Sequence, residues 1–493
     1  MKIEMTFKNK VKNGLKWAFM DQILSQVLLL FFGVFLARIL PPSAFGLVAM
    51  VTMFTNFAAL FIDLGFGVAL VQKIDADEEH FSSVFWLNLI IGLFLYVFFF
   101  FTAPFISYFF NQPDINILIR VISLSFIISS LTSVQSNLLI RELKFKQKVI
   151  FNWIAIILGY TLAFYLAYNG FGVWSIVWMT LVTSATNSIL YWFASNWHPS
   201  FVFNKVKIKE LSSFGLNVLG DTSVNYWSRN FDNFIIARLL GSTELGLYSR
   251  AYSLMLLPLR NISSVITKVM FPAFSKKQND VATIKRYYLR IIKYIALLTF
   301  PAMIGLSLVS KEFILLLFGT NWAGMIPVLT LLSLVGAVQS IFSLNGMIYN
   351  SLGKANIAFK VSLLVNFVLI IAFSIGVNYG ILGIAWSYLI ASMLLFFPIY
   401  NTAIKQLNTK LSEVFYTLKG VLFASLGMAL AIVLVSYSID TTLLVAISIK
   451  IVFGGLFYTI IIYYFEKELV ITIKNKFMGF TKRNTILLST NVL

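Results

Sequence analysis

Residues 215–268 read GLNVLGDTSVNYWSRNFDNFIIARLLGSTELGLYSRAYSLMLLPLRNISSVITK. The stretch is apolar enough for two membrane-spanning helices, yet it is full of charge. On the first, Asn217, Asp221, Asn225, Ser228, Arg229 and Asp232 recur three and four residues apart, one face of a 3.6-residue helix. On the second, Arg250, Asn261, Ser264 and Lys268 share a face, with Arg260 to one side. A charged side chain at the centre of a spanning helix costs roughly 2.5–3.5 kcal/mol on insertion scales. Such groups face one another or a wet cavity inside a bundle, and by default they mark function. Structural ion pairs, such as Arg229 with Asp232 one turn on, are the competing account. They leave positive charge over.

The rest of the chain agrees with a membrane setting. Of 493 residues, 59% are hydrophobic and only 12% charged, too little polar surface for a soluble globule. Apolar runs of about 20 residues, the length that crosses a bilayer core, recur from end to end. The fold class is therefore an all-α polytopic membrane protein. We read fourteen transmembrane helices, at about 15–39, 44–70, 83–103, 116–138, 148–168, 171–194, 212–239, 245–272, 289–310, 325–350, 358–378, 381–404, 415–437 and 441–465. A basic amphipathic lead (Lys2, Lys8, Lys10, Lys12, Lys16) precedes them, and a basic tail, 466–493, follows.

A net charge of +19 does not imply nucleic acid here, because the cations sit in alternate loops. One set holds Arg141, Lys144, Lys146 and Lys148, then Lys205, Lys207 and Lys209, then Lys276, Lys277, Lys285 and Arg286, and further lysines to the C-terminus. The intervening turns, near 111–114, 169–170, 241–243, 319–324, 379–380 and 438–440, hold neither Lys nor Arg. The positive-inside rule places the first set, and both termini, in the cytoplasm. Loop 73–80 is the exception, since Lys73 is outnumbered by Asp75, Asp77, Glu78 and Glu79; acids weigh little in the rule, so it stays inside. No cysteine is present, and no cleavable signal pattern opens the chain.

The chain repeats itself. Asp21, Phe31, Ala37, Arg38, Leu40, Gly46 and Leu47 match Asp221, Phe231, Ala237, Arg238, Leu240, Gly246 and Leu247. Residues 103–111, APFISYFFN, resemble 311–319, KEFILLLFG. Six helices separate the copies, so they share one orientation. Parallel repeats of this kind build two half-bundles around a central cleft. The domains expected are an N-terminal lobe (1–200), a C-terminal lobe (201–410), an added helix pair (411–465) and the tail. The two segments just quoted, which follow the third and ninth helices, are read as lying flat at the outer surface, with Lys311 and Glu312 among the headgroups.

Helix one carries Asp21, Gln22, Ser25 and Gln26 where the repeat places helix seven. A carboxylate in a low-dielectric cleft can take a proton or a cation, so Asp21, Asp221 and Asp232 are coupling-ion candidates; neutralisation by a neighbouring Arg is the alternative. Stripes of small polar residues (Arg120, Ser123, Ser130, Ser133, Asn137; Ser333, Gly336, Ser340, Ser343, Asn350) read as close packing. Arg38 and Arg238 read as snorkelling to headgroups. Pro258, Pro301, Pro327 and Pro398 are candidate bends. His80 and His198 fall in loops and read as solvated. No GxxxxGK[ST] or HExxH occurs, and no metal site, cofactor or catalytic residue is expected. No outside loop is long enough for a catalytic domain, so the chain does not read as an enzyme.

GLKWAFM (14–20), LARILPPSAFGL (36–47), DLGFGVALVQK (63–73), RELKFKQK (141–148) and DNFIIARLLGSTELGLYSRAYSLMLLPLRNISSVITKVMFPAFSKKQ (232–278) resemble the Wzx-type polysaccharide transporters. The likeness is to the WzxC-like lipopolysaccharide and exopolysaccharide flippases, in the superfamily of the multidrug-extruding MATE proteins and lipid II flippases. It covers about residues 10–400. It implies a transporter of the bacterial inner membrane that flips an oligosaccharide repeat unit, linked through pyrophosphate to a polyprenyl lipid. Alternating access driven by an H+ or Na+ gradient is also implied, with a polysaccharide polymerase and glycosyltransferases as pathway partners. Arg229, Arg250, Arg260 and Lys268, with Asn217, Asn225 and Asn261, would then line a cationic cavity and hold the pyrophosphate through charge-assisted hydrogen bonds. A lipid II-type flippase and a multidrug exporter of the same superfamily remain as alternatives. The latter would want an acidic, aromatic cleft.

Overall fold

Where a helix can begin and end in this chain is set by where its polar backbone finds partners, because hydrocarbon supplies none. The computed structural model describes residues 2–438 and 441–467, except the side chains of 2–12, 15, 213–218, 221 and 224. The basic tail falls almost wholly outside them. Among the described residues every regular element is helical. In order they are α1 (Lys2–Ile39), α2 (Pro42–Asp63), α3 (Phe66–Gln72), α4 (Glu78–Phe110), α5 (Asp114–Ile122), α6 (Leu124–Ser130), α7 (Ser133–Arg141), α8 (Phe145–Tyr168), α9 (Trp174–Ala194) and α10 (Lys205–Leu239). Then follow α11 (Ser242–Met255), a π-helical turn (Leu259–Ser263), α12 (Ser264–Lys276), α13 (Val281–Leu308), α14 (Ser310–Leu317), α15 (Met325–Ser351), α16 (Ala355–Gly376), α17 (Gly380–Gln406), α18 (Leu411–Ser438) and α19 (Leu443–Phe465). Ten stretches among the described residues are long and apolar enough to cross a membrane, or eleven if the bent α5–α7 run is one span.

The repeat shows in the element boundaries. α1 ends at Ile39 and α10 at Leu239; α2 starts at Pro42 and α11 at Ser242. Several expectations change. The amphipathic lead is continuous with α1. The second predicted helix is broken at Leu64–Gly65, and the fourth at Ser123 and again at Leu131–Thr132. The segment ending at Phe110 does not form a separate surface piece, because α4 runs through Pro104 without interruption. At about 1.5 Å per residue its 33 residues exceed an apolar core of about 30 Å. Pro327 lies in the first turn of α15, where a proline leaves no helical bond unmade, so it is no bend.

Packing divides the described residues into two compact units: those up to 250 with 317–322 and 373–384, and 251–316 with 323–372 and those from 385 onward. In the first, α8 and α9 form a hairpin that closes on Gly159, where a Cβ would stand 2.1 Å from Thr183 Oγ1. In the second, α15 is the central helix, with Val328, Leu332, Val335 and Ile348 fully buried. Its small residues do pack closely: a Cβ on Gly336 would meet Met303 at 2.4 Å, and Ser340 bonds Thr299 at 2.8 Å.

The acidic 73–80 loop finds its compensation within the first unit. Asp77 caps α4 and pairs with Lys207 at 2.9 Å, while Lys73 pairs with Glu210 at 2.9 Å. The loop thus lies on the same side as the basic segment 205–209, as the orientation rule required. His80 is not solvated. It is only 1% exposed, with Nδ1 2.7 Å from Asp77 Oδ1 and Nε2 3.2 Å from Glu210 Oε2. The Lys207 ammonium, and then His80, hold Asp77 well below the usual carboxylate range. Lys73 and His80 likewise lower Glu210.

Candidate functional site

α10 begins on an Asn204 cap, whose side chain accepts from Val206 N–H at 2.9 Å, and presents the charged stripe along its length. Asp232 is buried. It accepts from the Tyr248 hydroxyl at 2.9 Å and from the Asn233 N–H at 2.8 Å. Tyr248 comes from α11, so this carboxylate fastens α10 to α11 across the Gly241 turn. Arg229 is exposed, and among the described residues it forms no ion pair with Asp232. Asn225 is exposed on the same helix. The side chains of Asn217 and Asp221 lie outside the described residues.

Arg250, at the end of the first unit, is half-buried. Its guanidinium carbon lies 4.1 Å from the centre of the Phe45 ring, an arrangement that stabilises a cation by roughly 0.5–2 kcal/mol. Gly33 of α1 lies alongside it: a Cβ there would be in ordinary contact, 3.6 Å from a guanidinium nitrogen. Tyr160 of α8, stacked on Phe32, is within electrostatic reach. No described carboxylate pairs with Arg250. Its charge is therefore desolvated on one side by aromatic carbon, and a planar guanidinium is of the shape that suits phosphate oxygens.

The second unit carries Arg260, Asn261 and Lys268. Pro258 has no N–H to give, and the chain passes into the π-turn immediately after it. Asn261 Nδ2 donates to the Leu257 carbonyl at 2.8 Å, one turn back along the chain. Turns of this type recur at functional sites. Arg260 is exposed on it, and Lys268 is exposed on α12. The predicted cations thus divide, Arg229 and Arg250 in one unit, Arg260 and Lys268 in the other.

Asp21 has a built environment. Ser25 Oγ donates to it at 2.6 Å and Trp153 Nε1 at 3.1 Å; Asn152 Nδ2 reaches Ser25 at 3.3 Å. A cavity of ≈ 370 Å³ opens beside it, lined also by Lys148, Asn152 and Tyr191. Carboxylate, ammonium, amide and phenol around one small cavity can hold water and pass a proton or bind a small cation.

Three further charged groups have protein partners that the sequence did not disclose. Glu312 is buried and accepts from Lys450 Nζ at 2.7 Å, so its charge is paired within the second unit. Arg38 is exposed and its Nε donates to the Leu317 carbonyl at 2.6 Å, while Arg238 lies over the Phe109 ring at 4.9 Å. Phe45, Tyr248, Trp153 and Lys450 were not singled out from sequence. Phe45 sits in the repeated LARILPPSAFGL, and an intramembrane lysine in helix fourteen was itself a signal; the others carried none.

The family model described as "Polysaccharide biosynthesis protein" matches residues 35–327. A teichuronic acid biosynthesis protein of Bacillus subtilis, TuaB, is 32% identical over 69% of this chain and 71% of its own length. The lipopolysaccharide biosynthesis protein WzxC of Escherichia coli is 27% identical over 79% of this chain and 80% of its own. Among solved structures, the lipid II flippase MurJ in an inward closed conformation superposes with a TM-score of 0.73 at 17% identity, covering 93% of this chain and 99% of that one. An inward-facing multidrug resistance MATE transporter gives 0.61 at 19% identity, over 78% and 96%. At these identities the structural likenesses concern the fold alone.

Proposed function

Because this chain belongs to the polysaccharide biosynthesis protein family, as a Wzx-type flippase of the MOP superfamily and not an enzyme, we propose that it carries polyprenyl-pyrophosphate-linked oligosaccharide repeat units across the bacterial inner membrane. The observation that carries the assignment is Arg250, half-buried on Phe45 with no described carboxylate partner. A polyprenyl tail can stay in the bilayer while sugar and pyrophosphate cross in a polar path. Arg229, Arg260 and Lys268, with Asn225 and Asn261, would follow the same anionic headgroup as the conformation alternates. Asn217 and Asp221 keep their proposed places on α10.

The fourteen-helix topology belongs to this reading. Residues 355–406 make too long a rod for one crossing and are interrupted at 377–379, so they supply two. α9 and α10, less apolar, add two more, and the even total leaves both termini in the cytoplasm. The lobes 1–200 and 201–410 describe the duplication, with α18 and α19 added. Asp21, with its cavity, is the leading site for a coupling H+ or Na+, and Asp232 and Asp221 follow it. Glycosyltransferases build the cargo and a polymerase consumes it.

The test is export of a lipid-linked glycan in cells lacking their own flippase, with protein insertion monitored. Arg250→Ala and Arg260→Ala should abolish export while the protein stays inserted, and Arg250→Lys should restore little of it, because an ammonium lacks the planar fork. Normal export by both alanine variants would remove the pyrophosphate assignment. Reconstituted protein that moved lipid II but no oligosaccharide-linked lipid would favour the precursor-flippase alternative.

A further inference from the structure

We propose that Asp63 is a positioning residue that locks two interrupted helices of the first unit into one moving element of the transporter. The DLGFG sequence, 63–67, ends α2 with two successive left-handed residues, Leu64 at φ 46° and Gly65 at φ 73°. A leucine holds that conformation only where its surroundings impose it. A few helices on, α6 stops at Ser130 and α7 restarts at Ser133, with the axis bent by 42°. The two breaks meet at one carboxylate. Asp63 Oδ1 accepts from Ser133 Oγ at 2.6 Å, and Oδ2 accepts from the Gly67 N–H at 2.9 Å. The last residue of α2 therefore holds the first turn of both segments that follow the breaks.

Those segments are clipped again at their far ends. Arg141, closing α7, donates to the Leu70 carbonyl at 3.0 Å and to the Ile74 carbonyl at 2.9 Å, just where α3 finishes. Between the clips, Phe66, Ala69, Leu70 and Val134 share one buried apolar cluster. Gly67 lets the segments close, since a Cβ on it would stand 2.2 Å from Asn137 Nδ2. The second break is built rather than frayed. Thr132 Oγ1 donates to the Ile128 carbonyl at 2.7 Å, and Trp192 Nε1 of α9 donates to the Leu131 carbonyl at 2.9 Å.

α3 and α7 are thus one body with two hinges and a single side chain setting the angle at both. Leu211 of α10 belongs to the same cluster, so turning this body shifts the root of the helix that carries Arg229 and Asp232. Both carboxylate oxygens of Asp63 are used as acceptors. Removing either donor, or turning one oxygen into an amide, frees one hinge from the other. The inference concerns motion in the first unit and does not depend on which lipid is carried.

The chain contains no cysteine, so a pair of introduced ones carries spin labels without background. Ile74→Cys at the end of α3 and Tyr168→Cys at the far end of α8 are both strongly exposed. In liposomes, pulsed dipolar spectroscopy of this pair should give one dominant distance. In Asp63→Asn and Ser133→Ala a second distance should gain about tenfold or more in population, the equilibrium weight of one charge-assisted hydrogen bond. Ser133→Thr, which keeps the hydroxyl, should restore the single distance and transport. Unchanged distances in Asp63→Asn and Ser133→Ala overturn the proposal, whether or not transport falls, because a loss without motion would make Asp63 a ligand and not a lock. If Asp63→Asn does not fold, the Ser133→Ala and Ser133→Thr pair decides alone.

Discussion

Gly46 and Gly246, two equivalent positions of the repeat, face one another where α2 and α11 begin. A Cβ on Gly46 would stand 1.7 Å from the Ser242 carbonyl oxygen, and one on Gly246 would stand 2.0 Å from the Pro42 carbonyl oxygen. The contact is reciprocal, as a pseudo-twofold axis between two copies of one motif requires. Backbone meets backbone here, and no side chain fits. Gly46→Ala or Gly246→Ala should each destabilise the protein by about 1–3 kcal/mol or more, through enforced separation of the helices. Thermal unfolding in detergent measures it, and an unchanged midpoint for both would mean that the crossing is not tight.

Lys450 and Glu312 form a buried pair in the second unit, joined at 2.7 Å. The remaining Glu312 oxygen has no hydrogen-bond partner among the described residues. Removing one charge should cost about 3–5 kcal/mol, whereas replacing both with Met and Leu should be neutral or stabilising. Lys450→Met alone, Glu312→Leu alone and the double variant, compared by thermal unfolding, give the coupling. Additive losses would show that the charges do not act as a pair.

The cluster on the 73–80 loop yields a pH prediction. Asp77 and Glu210 lie below their ordinary values of 3.8 and 4.5, held there by Lys207, Lys73 and His80. A depressed carboxylate contributes stability that is complete above its unfolded value and is lost as the pH falls through the folded one. Lys207 is raised above its ordinary 10.5 by Asp77, so its share is complete below that value and lost above it. The melting-temperature gap between the parent and Lys207→Met should therefore be steady across neutral pH and shrink in acid below the ordinary carboxylate range. A gap that persists at the most acidic pH the parent tolerates would rule out Asp77 as its source.

The π-turn makes a separate demand. With Asn261→Leu, the Leu257 carbonyl loses its side-chain donor inside the membrane, a loss of about 1–3 kcal/mol. Asn261→Gln should not recover it, because the longer side chain misplaces the amide. Export measured beside unfolding separates the two roles assigned to Asn261. Reduced export at unchanged stability would point to substrate contact.

What the sequence by itself determined about this protein is what depends on composition and period. A chain 59% hydrophobic, with apolar runs of spanning length recurring from end to end, must lie in a membrane. The 200-residue offset from Arg38 to Arg238 foretold the matched helix ends at Ile39 and Leu239. That Asp232 and Arg250 would be sheltered by protein was the sequence's expectation for the same reason, since burying a charge in lipid is costly wherever it occurs. Pairing was not legible, because a partner is chosen by three-dimensional proximity. Asp232 finds Tyr248 and not Arg229, Glu312 finds Lys450 far along the chain, and His80 is walled in by Asp77 and Glu210. Helix breaks were hidden likewise. DLGFG and the serines near Ser133 keep an apolar helical period, and the hydrogen bonds that accompany the breaks come in part from tertiary partners, Asp63 on Ser133 and Trp192 on the Leu131 carbonyl, which no sequence period discloses.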